Sequence, residues 1–293
     1  MANLKAIRQR IKSVQSTQKI TRAMRLVAAA KVRRAQMRVQ AARPFTQAVV
    51  RVLREVMAEV SPVDLLGLPV LQTRPVKKVG IIVLSSDRGL CGSYNTTVLR
   101  EVMARIAKHQ ADGKEVGLIL VGLKAVAFFR SVKVEKLKTY TLLPAVPSVE
   151  EAKLIAEHAS ALYTEGKVDA VEIIGSNFIN MLRSEVETSQ YLPVHMPEAL
   201  EAKPLAPLRL FEPSIVEVME QELLPKYIEN VIYQALLEAA ASELAARMNA
   251  MTNASNNARD LINGLTLVYN KARQAAITQE LLEIVGGAEA LKG

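Results

Sequence analysis

The first sixty residues contain no glycine and one proline, Pro44, and this run limits the chain to folds that accommodate a very long helix. Apolar residues recur there at spacings of three and four, beginning with Leu4, Ile7, Ile11 and Val14. Such spacing is typical of one helix face. We expect Pro44 to bend the helix rather than end it. At 1.5 Å per residue, roughly 55 residues would extend about 80 Å, far longer than a globular domain needs.

The apolar pattern of this helix is predicted to change register once, at an offset through Ile20, Met24 and Val27. It then resumes at Ala28, Val32, Ala35, Val39, Ala42, Val49, Leu53 and Val56. An apolar stripe of this length needs a second long helix to cover it.

The positive charge of the chain is concentrated in the same segment. Residues 1–54 hold fourteen Lys and Arg and no acid, whereas the whole chain has a formal net charge of +9. The rest of the chain, from Glu55 onward, is therefore net acidic. This asymmetry predicts an acidic or polyanionic partner for the first segment. The alternative is a solvated basic face, although such a helix usually gains from mixed i,i+4 pairs.

The middle of the chain changes to short β-branched runs separated by helical patterns. The runs are "VKKVGIIVLSS", "KEVGLILVG" and "KVDAVEIIGS", and the helical patterns are "NTTVLREVMARIAKH" and "SVEEAKLIAEHASALY". This alternation predicts a small α/β layer with parallel strands, which we place at residues 75–205. The proline-rich "PEALEAKPLAPLRLFEPS" is predicted to be a linker.

Helix returns at Ser214 and continues almost to the end of the sequence. Ser214 is followed three residues later by Glu217, which predicts a capping box, and we expect Pro225 to bend the early part. A heptad-like apolar face is predicted at Leu261, Leu265, Val268, Ala272 and Ala275. The polar stretch "MTNASNN" at residues 251–257 is either a weak point of a coiled coil or a contact region.

These elements predict an antiparallel coiled coil formed by the two terminal helices, with a Rossmann-like α/β domain inserted between them. The predicted domains are an N-terminal helix at residues 1–60, the central α/β domain at 75–205 and a C-terminal helix at 214–290. Half of the residues are hydrophobic but only 4% are aromatic. Much of the apolar content is alanine, which favours long helices that approach closely.

The loop "SSDRGLCGSYN", residues 85–95, follows the first predicted strand, where nucleotide-binding loops often lie. It contains neither G-x-G-x-x-G nor the G-K-[ST] ending of a phosphate loop. A tight turn that requires Gly89 and Gly92 explains it better than nucleotide binding. We therefore predict no catalytic and no cofactor-binding residue.

The cysteine and histidine content points in the same direction. Cys91 is the single cysteine, which excludes an internal disulfide and fits a reducing compartment. It is predicted to be a buried or half-buried thiol rather than a nucleophile. His109, His158 and His195 are scattered, with no Cys or acid at ligand spacing, so no metal site is predicted.

A basic coiled-coil protein that binds nucleic acid is the competing hypothesis, because a basic helix can fit the major groove of DNA. A basic leucine zipper would place its leucine heptads after the basic region. Here the apolar spacing runs through "ITRAMRLVAAAKVRRAQ" itself, and the α/β domain has no role. A nucleotide-dependent enzyme, a further alternative, would need the phosphate loop that is missing.

Three blocks of the sequence, "KAIRQRIKSVQSTQKITRAMRLVAAAKVRRAQ", "SSDRGLCGSYN" and "LVYNKARQAAITQELLEIVGGAEA", resemble the gamma subunit of F-type ATP synthases. The resemblance covers essentially the whole chain. It implies a rotor, a central stalk whose coiled coil stands inside a ring of alternating alpha and beta subunits. The foot of such a stalk binds epsilon and the membrane ring of c subunits. Gamma couples proton flow to ATP synthesis or hydrolysis but performs no bond chemistry itself.

The same resemblance implies partner contacts. Gln274 and Thr278 match family positions that hydrogen-bond a beta-subunit loop, and Arg247 in "ELAARMNAM" matches a third. Met24 in "ITRAM" matches a position near the acidic lever of the beta subunit. For each of the four, the alternative is an ordinary exposed coil residue. The family signature is matched by Ile277, Thr278, Glu280, Glu283, Gly287 and Ala288.

One departure from the family concerns photosynthetic members, which carry an extra segment before the last helix. In the chloroplast version this segment holds a cysteine pair that acts as a redox switch. Residues 192–214 leave no room for it here, although "MRLVAAAKVRRAQ" resembles the phototroph type. The segment is either naturally absent or was removed.

Membrane association is expected through partners only. We find no apolar run long enough to span a bilayer and no targeting leader. The resemblance implies alpha, beta, epsilon and c-ring partners, no nucleic acid, and a place at the cytoplasmic face of a bacterial plasma membrane or at a thylakoid membrane. The start at "MANLKAIRQR" favours a bacterial protein over an imported organelle precursor.

Overall fold

The computed structural model describes residues 4–57, 67–142, 144, 146–194 and 214–290. Three of the sequence predictions fall on residues outside these ranges. They concern the last residues of the first predicted helix, 58–60, the histidine at position 195, and the end of the α/β domain with its linker, 195–213.

The described residues form two long helices with strands and shorter helices between them. In chain order the elements are α1 (Leu4–Met57), a 3-10 turn (Pro69–Leu71), β1 (Lys78–Leu84), α2 (Tyr94–Ala111), β2 (Glu115–Val121), α3 (Leu123–Phe129), β3 (Glu135–Tyr140), α4 (Val149–Thr164), β4 (Ala170–Phe178), β5 (Ser184–Leu192), α5 (Ile215–Val218), a π-helical turn (Met219–Leu223) and α6 (Leu224–Ala290). The predicted long helices are confirmed, and α1 passes through Pro44 without ending.

The chain divides into two compact units. The helical unit comprises residues 1–28 and 247–293, which are the first part of α1 and the last part of α6. The sheet unit comprises residues 29–246.

The sheet unit is built on one five-stranded sheet in the order β3-β2-β1-β4-β5. Strand β1 pairs in parallel with β2 and β4, and β2 pairs in parallel with β3. Strands β1 and β2 are buried along almost their whole length. Helices cover both faces of the sheet, which is why these strands are continuous apolar runs. The predicted α/β domain is confirmed.

The sequence pattern does not reveal the two edge strands. The sequences of β3, "EKLKTY", and β5, "SEVETSQYL", are mostly polar, and most of their positions are not buried. Charged side chains protect an exposed edge from pairing with other chains, and they also hide the strand from an apolar pattern. Since β5 runs antiparallel to β4, the sheet is mixed rather than purely parallel.

Two apolar layers hold the helices on the sheet. On one face α4 and the start of α6 pack against it, with Ile82, Ile155 and Ile232 among the buried residues. On the other face α2 and α3 do the same, with Val102 and Phe129 at the contact. The first half of the long C-terminal helix is therefore part of the sheet unit's core.

Within the sheet unit, α1 and α6 run in opposite directions. Val32 of α1 lies in one apolar cluster with Ala245 of α6. Further along, Leu53 of α1 lies in another cluster with Leu224 of α6. Residues of higher number on α1 therefore pack against residues of lower number on α6, and the predicted antiparallel pairing is confirmed here.

The loop between β1 and α2 requires one of its two glycines. Gly92 has φ +61°, in the left-handed region, which confirms its predicted need for glycine. The prediction for Gly89 is wrong, because its φ is not left-handed and an added Cβ would meet Lys124 only at 3.8 Å. Leu90 instead adopts a left-handed φ of +65°.

The start of the C-terminal helix combines a cap with an irregular turn. Ser214 Oγ accepts a hydrogen bond from the Glu217 backbone N–H at 3.2 Å, which is one half of the predicted capping box. The irregularity near Pro225 takes the form of the π-helical turn, in which the Leu224 N–H donates to the Met219 carbonyl. Proline has no N–H to donate, and a wider turn accommodates that loss.

Candidate partner-binding surface

The helical unit contains a seam of buried and half-buried residues at heptad spacing. On α1 the seam includes Leu4, Ile7, Ile11, Val14, Gln18, Thr21, Arg25 and Ala28, and on α6 it includes Met251, Ser255, Ala258, Ile262, Leu265, Tyr269, Ala272 and Ala276. Alternating steps of three and four residues are the signature of a coiled coil. The first four predicted positions on α1 are confirmed.

The predicted register of the seam is wrong at several positions. On α1, Ile20 and Val27 are 58% and 56% exposed, so the predicted offset does not occur. On α6, Leu265 and Ala272 lie in the seam as predicted, but Leu261, Val268 and Ala275 are exposed. The pattern fails because apolar residues also lie outside the seam, whereas polar residues fill part of it.

A polar layer crosses the seam near its middle. Gln18 Nε2 donates to the Ser255 carbonyl at 3.5 Å, and Thr21 Oγ1 donates to the Gln18 carbonyl at 3.0 Å. The stretch 251–257 is therefore partly seam. Its residues Asn253, Asn256 and Asn257 are nevertheless exposed.

The end of α6 extends past the start of α1. Gln18 contacts Ser255, and both helices rise by the same length per residue. In an antiparallel pair this places Leu4, where α1 begins, opposite about Tyr269. From Ile277 to Ala288 every residue is exposed. We call residues 277–288 the overhang.

Large apolar side chains cover the overhang and continue onto the outer face of α6. The exposed set comprises Leu261, Leu267, Val268, Ile277, Leu281, Leu282, Ile284 and Val285, with Leu282 and Ile284 each 68% exposed. On α1, Ile20, Leu26 and Val27 are likewise more than half exposed. Soluble proteins rarely leave a patch of this kind without a partner.

Of the four residues with implied partner contacts, two lie at each end of this surface. Met24 and Arg247 are half-buried, and the seam register places them at about the same level. Gln274 and Thr278 are exposed and one turn apart, with Thr278 Oγ1 donating to the Gln274 carbonyl at 3.0 Å. About 40 Å of helix separates Arg247 from Gln274 at 1.5 Å per residue, so the four do not form one site.

The signature residues all lie on the overhang. Ile277, Glu280 and Glu283 are exposed, and Gln279 Nε2 donates to Glu283 Oε1 at 3.0 Å. An added Cβ at Gly287 would meet nothing within 4 Å. Packing inside this chain therefore does not require the signature.

The basic residues of α1 face outward. Of the fourteen Lys and Arg in residues 1–54, thirteen are exposed and Arg25 is half-buried. This face is the electropositive surface that the sequence predicts.

The loop 85–95 of the sheet unit is closed by its own side chains. Asn95 Oδ1 accepts from the Ser86 N–H at 3.1 Å, and Asn95 Nδ2 donates to Cys91 Sγ at 3.2 Å. Asp87 caps α3 by accepting from the Leu123 N–H at 2.8 Å. Cys91 is buried, as predicted. Contacts among Ser86, Cys91 and Asn95 thus hold the shape of the turn.

A buried charged cluster joins α2 to β4. Glu172 accepts from Arg105 Nε at 2.7 Å and lies 3.2 Å from His109 Nε2. Burial by itself would raise the pKa of Glu172, but the hydrogen bonds from Arg105 and His109 hold it below its ordinary value. The sequence pattern does not reveal this cluster, because its members are 63 and 67 residues apart.

A second cluster fastens the segment before β1 to the residue that directly precedes β4. Asp169 Oδ2 accepts from the backbone N–H groups of Lys77 and Lys78 at 3.0 and 2.9 Å, and Oδ1 lies 2.8 Å from Arg74 Nε. The Arg74 guanidinium also lies 4.5 Å from the centre of the Tyr163 ring. In the described part of the chain, no three His, Cys, Asp or Glu side chains are grouped so that they could hold a metal ion.

None of the described helices is both long enough and apolar enough to cross a bilayer.

The comparisons with known proteins identify the family. The sequence profile of the ATP synthase family matches residues 3–291, and the chain belongs to this family as one of its gamma chains. It is 45% identical to the ATP synthase gamma chain of a Cyanothece species over 318 positions, covering 100% of both chains. It is also 45% identical to the gamma chain of Nostoc punctiforme, covering 99% of this chain and 100% of that one.

The alignment with the Cyanothece protein is longer than the chain. It has 318 positions against 293 residues, so the relative carries about 25 residues that have no counterpart here. The predicted lack of a phototroph-type segment is compatible with this difference. Its predicted place before the last helix stays a prediction.

Solved structures show the same fold. A chain of the Tetrahymena thermophila mitochondrial ATP synthase, described as central stalk and c-ring, is 26% identical with a TM-score of 0.59, covering 80% of this chain and 99% of that one. A chain of the Euglena gracilis mitochondrial ATP synthase has a TM-score of 0.65, covering 98% and 94%. At 18% identity, the Euglena likeness is one of fold alone.

Proposed function

We propose that this chain is the central-stalk rotor subunit of a proton-translocating ATP synthase, which transmits torque between the membrane c-ring and the catalytic alpha/beta ring. Membership of the family supports this role. The Tetrahymena chain with the same fold is described as part of a central stalk and c-ring. The chain is a non-catalytic subunit, and the chemistry of ATP belongs to the alpha/beta ring.

The observation that carries the proposal is the overhang. A single helix with Leu281, Leu282, Ile284 and Val285 all more than half exposed gains little from its own chain. Burying a leucine or isoleucine side chain is worth about 1.5–3 kcal/mol. An apolar collar around the overhang would bury these side chains and recover that free energy. Such a contact need not be specific for one rotational angle. A ring with a central opening provides such a collar.

The four implied contact residues fit two levels of that ring. Gln274 and Thr278, at the overhang, are proposed to hydrogen-bond a beta-subunit loop. Arg247 and Met24 are proposed to meet the ring at a level about 40 Å away along the helix, where the acidic lever of beta would face the basic surface of α1. The burial of the four residues is compatible with these roles. Gln274 and Thr278 are exposed, and Met24 and Arg247 are half-buried.

The α/β domain, together with the adjoining end of the coiled coil, is proposed to form the foot. In this assignment residues 1–60 and 214–290 are the shaft, and the α/β domain at 75–205 binds epsilon and the c-ring. The Tetrahymena chain with the same fold, which is described as central stalk and c-ring, supports this assignment. We place the protein at the cytoplasmic face of a bacterial plasma membrane or at a thylakoid membrane, associated through these partners.

The competing hypothesis of nucleic-acid binding has no support from the comparisons, which point to ATP synthase throughout. The test is co-purification of the tagged chain from cells that express it with alpha, beta and epsilon subunits. A stable complex with all three, and ATP hydrolysis that depends on this chain, is expected.

The same preparation distinguishes the alternatives. Free chain that binds duplex DNA with an affinity falling steeply with salt, and that brings down no alpha or beta subunit, would reject the rotor role. The overhang provides the specific control. Truncation after Ala276 removes the overhang and should weaken recovery of the ring without affecting the sheet unit.

A further inference from the structure

A cleft in the sheet unit contains neither the four implied contact residues nor the overhang. It measures about 360 Å³ and lies between α4, the 3-10 turn and the start of α6. Cavities that hold small molecules begin at about 300 Å³. All of its lining belongs to the sheet unit.

The floor of the cleft is apolar and rigid. Leu68, Ala156, Leu224 and Ile228 line it, and each is at most 4% exposed. These residues come from three different elements, each fixed by the apolar clusters of the sheet unit. A ligand with a compact apolar body would therefore meet a preformed surface.

The rim of the cleft carries one sign of charge. Glu157, Glu220 and Glu229 lie on it together with the hydroxyl groups of Ser160 and Thr164, and among the residues that the structure describes no Lys, Arg or His belongs to the lining. Glu157 has a weak ion pair, with Lys153 Nζ 3.8 Å away and both side chains more than half exposed. Neither Glu220 nor Glu229 forms an ion pair with any described residue. Within the described residues, the negative charge of Glu220 and Glu229 is therefore not compensated by an ion pair.

The helix beside the cleft is irregular. The π-helical turn Met219–Leu223 ends two residues before Pro225, and Glu220, Leu224 and Pro225 all line the cleft. Proline has no N–H, and the wider π-helical turn accommodates that loss. Turns of this type occur frequently at functional sites.

We propose that this cleft binds a small organic cation, an ammonium group carried on a compact apolar body. The body displaces water from the floor. The ammonium donates hydrogen bonds at the rim, where Glu220 and Glu229 supply the opposite charge. An anionic ligand with the same body is disfavoured, because three carboxylates face it.

The binding test uses three molecules that share one apolar body. These are 1-adamantylammonium, 1-adamantanol and 1-adamantanecarboxylate, titrated into the full chain by isothermal calorimetry. Ammonium is expected to bind most tightly and carboxylate least tightly. The preference for ammonium should shrink as salt is raised, because the rim is exposed to solvent. Equal binding of the ammonium and the carboxylate would overturn the proposal.

Variants locate the site. Glu220→Gln and Glu229→Gln should each weaken ammonium binding by about two- to fivefold, the range of partly exposed ion pairs, and leave binding of the alcohol unchanged. Glu222→Gln is the matched control, because Glu222 lies in the same π-helical turn, pairs with Lys226 and does not line the cleft. An effect of Glu222→Gln as large as that of the other two would reject the site.

A third variant tests whether the ligand occupies the cleft itself. Ser160→Leu places a larger side chain at the half-buried rim and should abolish binding of both the ammonium and the alcohol. The melting temperature of this variant, measured without ligand, shows whether it is folded. If Ser160→Leu is folded and still binds the ammonium as the unchanged protein does, the proposal is wrong. Neither result depends on alpha, beta or epsilon subunits, so failure here leaves the rotor role standing.

Discussion

At the scale of single residues, Asp169 shows how charge secures the sheet unit. Burial by itself would raise the pKa of Asp169, but the N–H groups of Lys78 and Lys77 and the guanidinium of Arg74 hold it below its ordinary value. A carboxylate whose pKa is lowered by folding adds stability above the pKa of the unfolded chain. That stability is lost as the pH falls through the folded pKa.

The first prediction follows from this linkage. Asp169→Asn should lower the free energy of unfolding of the sheet unit by about 2 kcal/mol at pH 7, since hydrogen bonds to charged groups are worth about 1.5–3 kcal/mol. The difference from the unchanged protein should shrink below about pH 4, near the ordinary pKa of aspartate. Denaturant unfolding at several pH values measures both. Asp112→Asn is the control, because Asp112 is half exposed and its carboxylate forms a weak ion pair, 3.9 Å from Lys114 Nζ. A similar loss of stability in Asp112→Asn would contradict the role assigned to Asp169.

The second prediction concerns Met24. In the proposed rotor, Met24→Lys adds one cation beside an acidic lever and can form an ion pair at some rotor angles only. A rotor that must visit equivalent angles is slowed by a contact that is strong at one of them, because that contact must be broken before the next step. In the same way, an enzyme that binds its ground state more tightly does not react faster. We expect weaker coupling between proton flow and ATP turnover, with assembly intact.

The measurement for Met24→Lys is the number of protons pumped per ATP hydrolysed. Met37→Lys, at an exposed position of the same helix, is the matched control and should pump normally. A second change that removes the acid on the beta subunit should restore coupling. Unchanged pumping by Met24→Lys would remove the case for a functional contact at this residue.

The residue scale is also where sequence reasoning was least informative. The buried cluster of Glu172 with Arg105 and His109 joins residues far apart in sequence, and no local pattern announces it. The reverse holds for Gly92, whose left-handed φ a single sequence does predict. A glycine that a tight turn requires can be predicted from the neighbouring residues, whereas an ion pair between residues far apart in the sequence cannot.

At the scale of elements, long helices and buried strands were predictable and edge strands were not. The apolar runs of β1 and β2 are covered by helices on both faces, so their burial and their sequences agree. Strands β3 and β5 lie at the edges, where polar side chains are favoured. The seam of the helical unit fails for the opposite reason, because Gln18 and Thr21 occupy seam positions while Ile20 and Val27 are exposed.

The third prediction tests the polar layer of the seam. Polar residues at coiled-coil core positions fix the register at a cost in stability. Gln18→Leu should therefore raise the melting temperature of the helical unit and allow more than one register. Gln15→Leu is the matched control, because the same change falls on an exposed position and should have an effect within about 0.5 kcal/mol.

The register can be measured directly after Gln18→Leu. Spin labels on exposed positions of the two helices give one distance distribution if the register is single and a broader one if it is mixed. A narrow, unchanged distribution in Gln18→Leu would show that the apolar positions alone determine the register.

At the scale of the whole molecule, the structure separates what holds the chain together from what it offers to others. The sheet unit has its own core, and the helical unit has its seam. From Ile277 to Ala288 the helix continues without burial in this chain, and the family signature lies there. The order of long helix, α/β layer and long helix is predictable from the sequence, but the exposure of the signature is not, because apolar residues on a helix usually indicate a buried face.

The last prediction follows from that separation. Leu282→Ser and Ile284→Ser together remove two exposed apolar side chains from the overhang. The free energy of unfolding of the isolated chain should change by less than about 0.5 kcal/mol, as for other surface changes. Affinity for the alpha/beta ring should fall at least about tenfold, since each buried side chain is worth about 1.5–3 kcal/mol. Leu265→Ser, in the seam, should instead lower the free energy of unfolding of the helical unit in the isolated chain, because it removes a packed side chain. If the overhang variant instead unfolds the isolated chain, the overhang packs on its own subunit in solution and the collar argument fails. If it binds the ring unchanged, the exposed residues are not the contact.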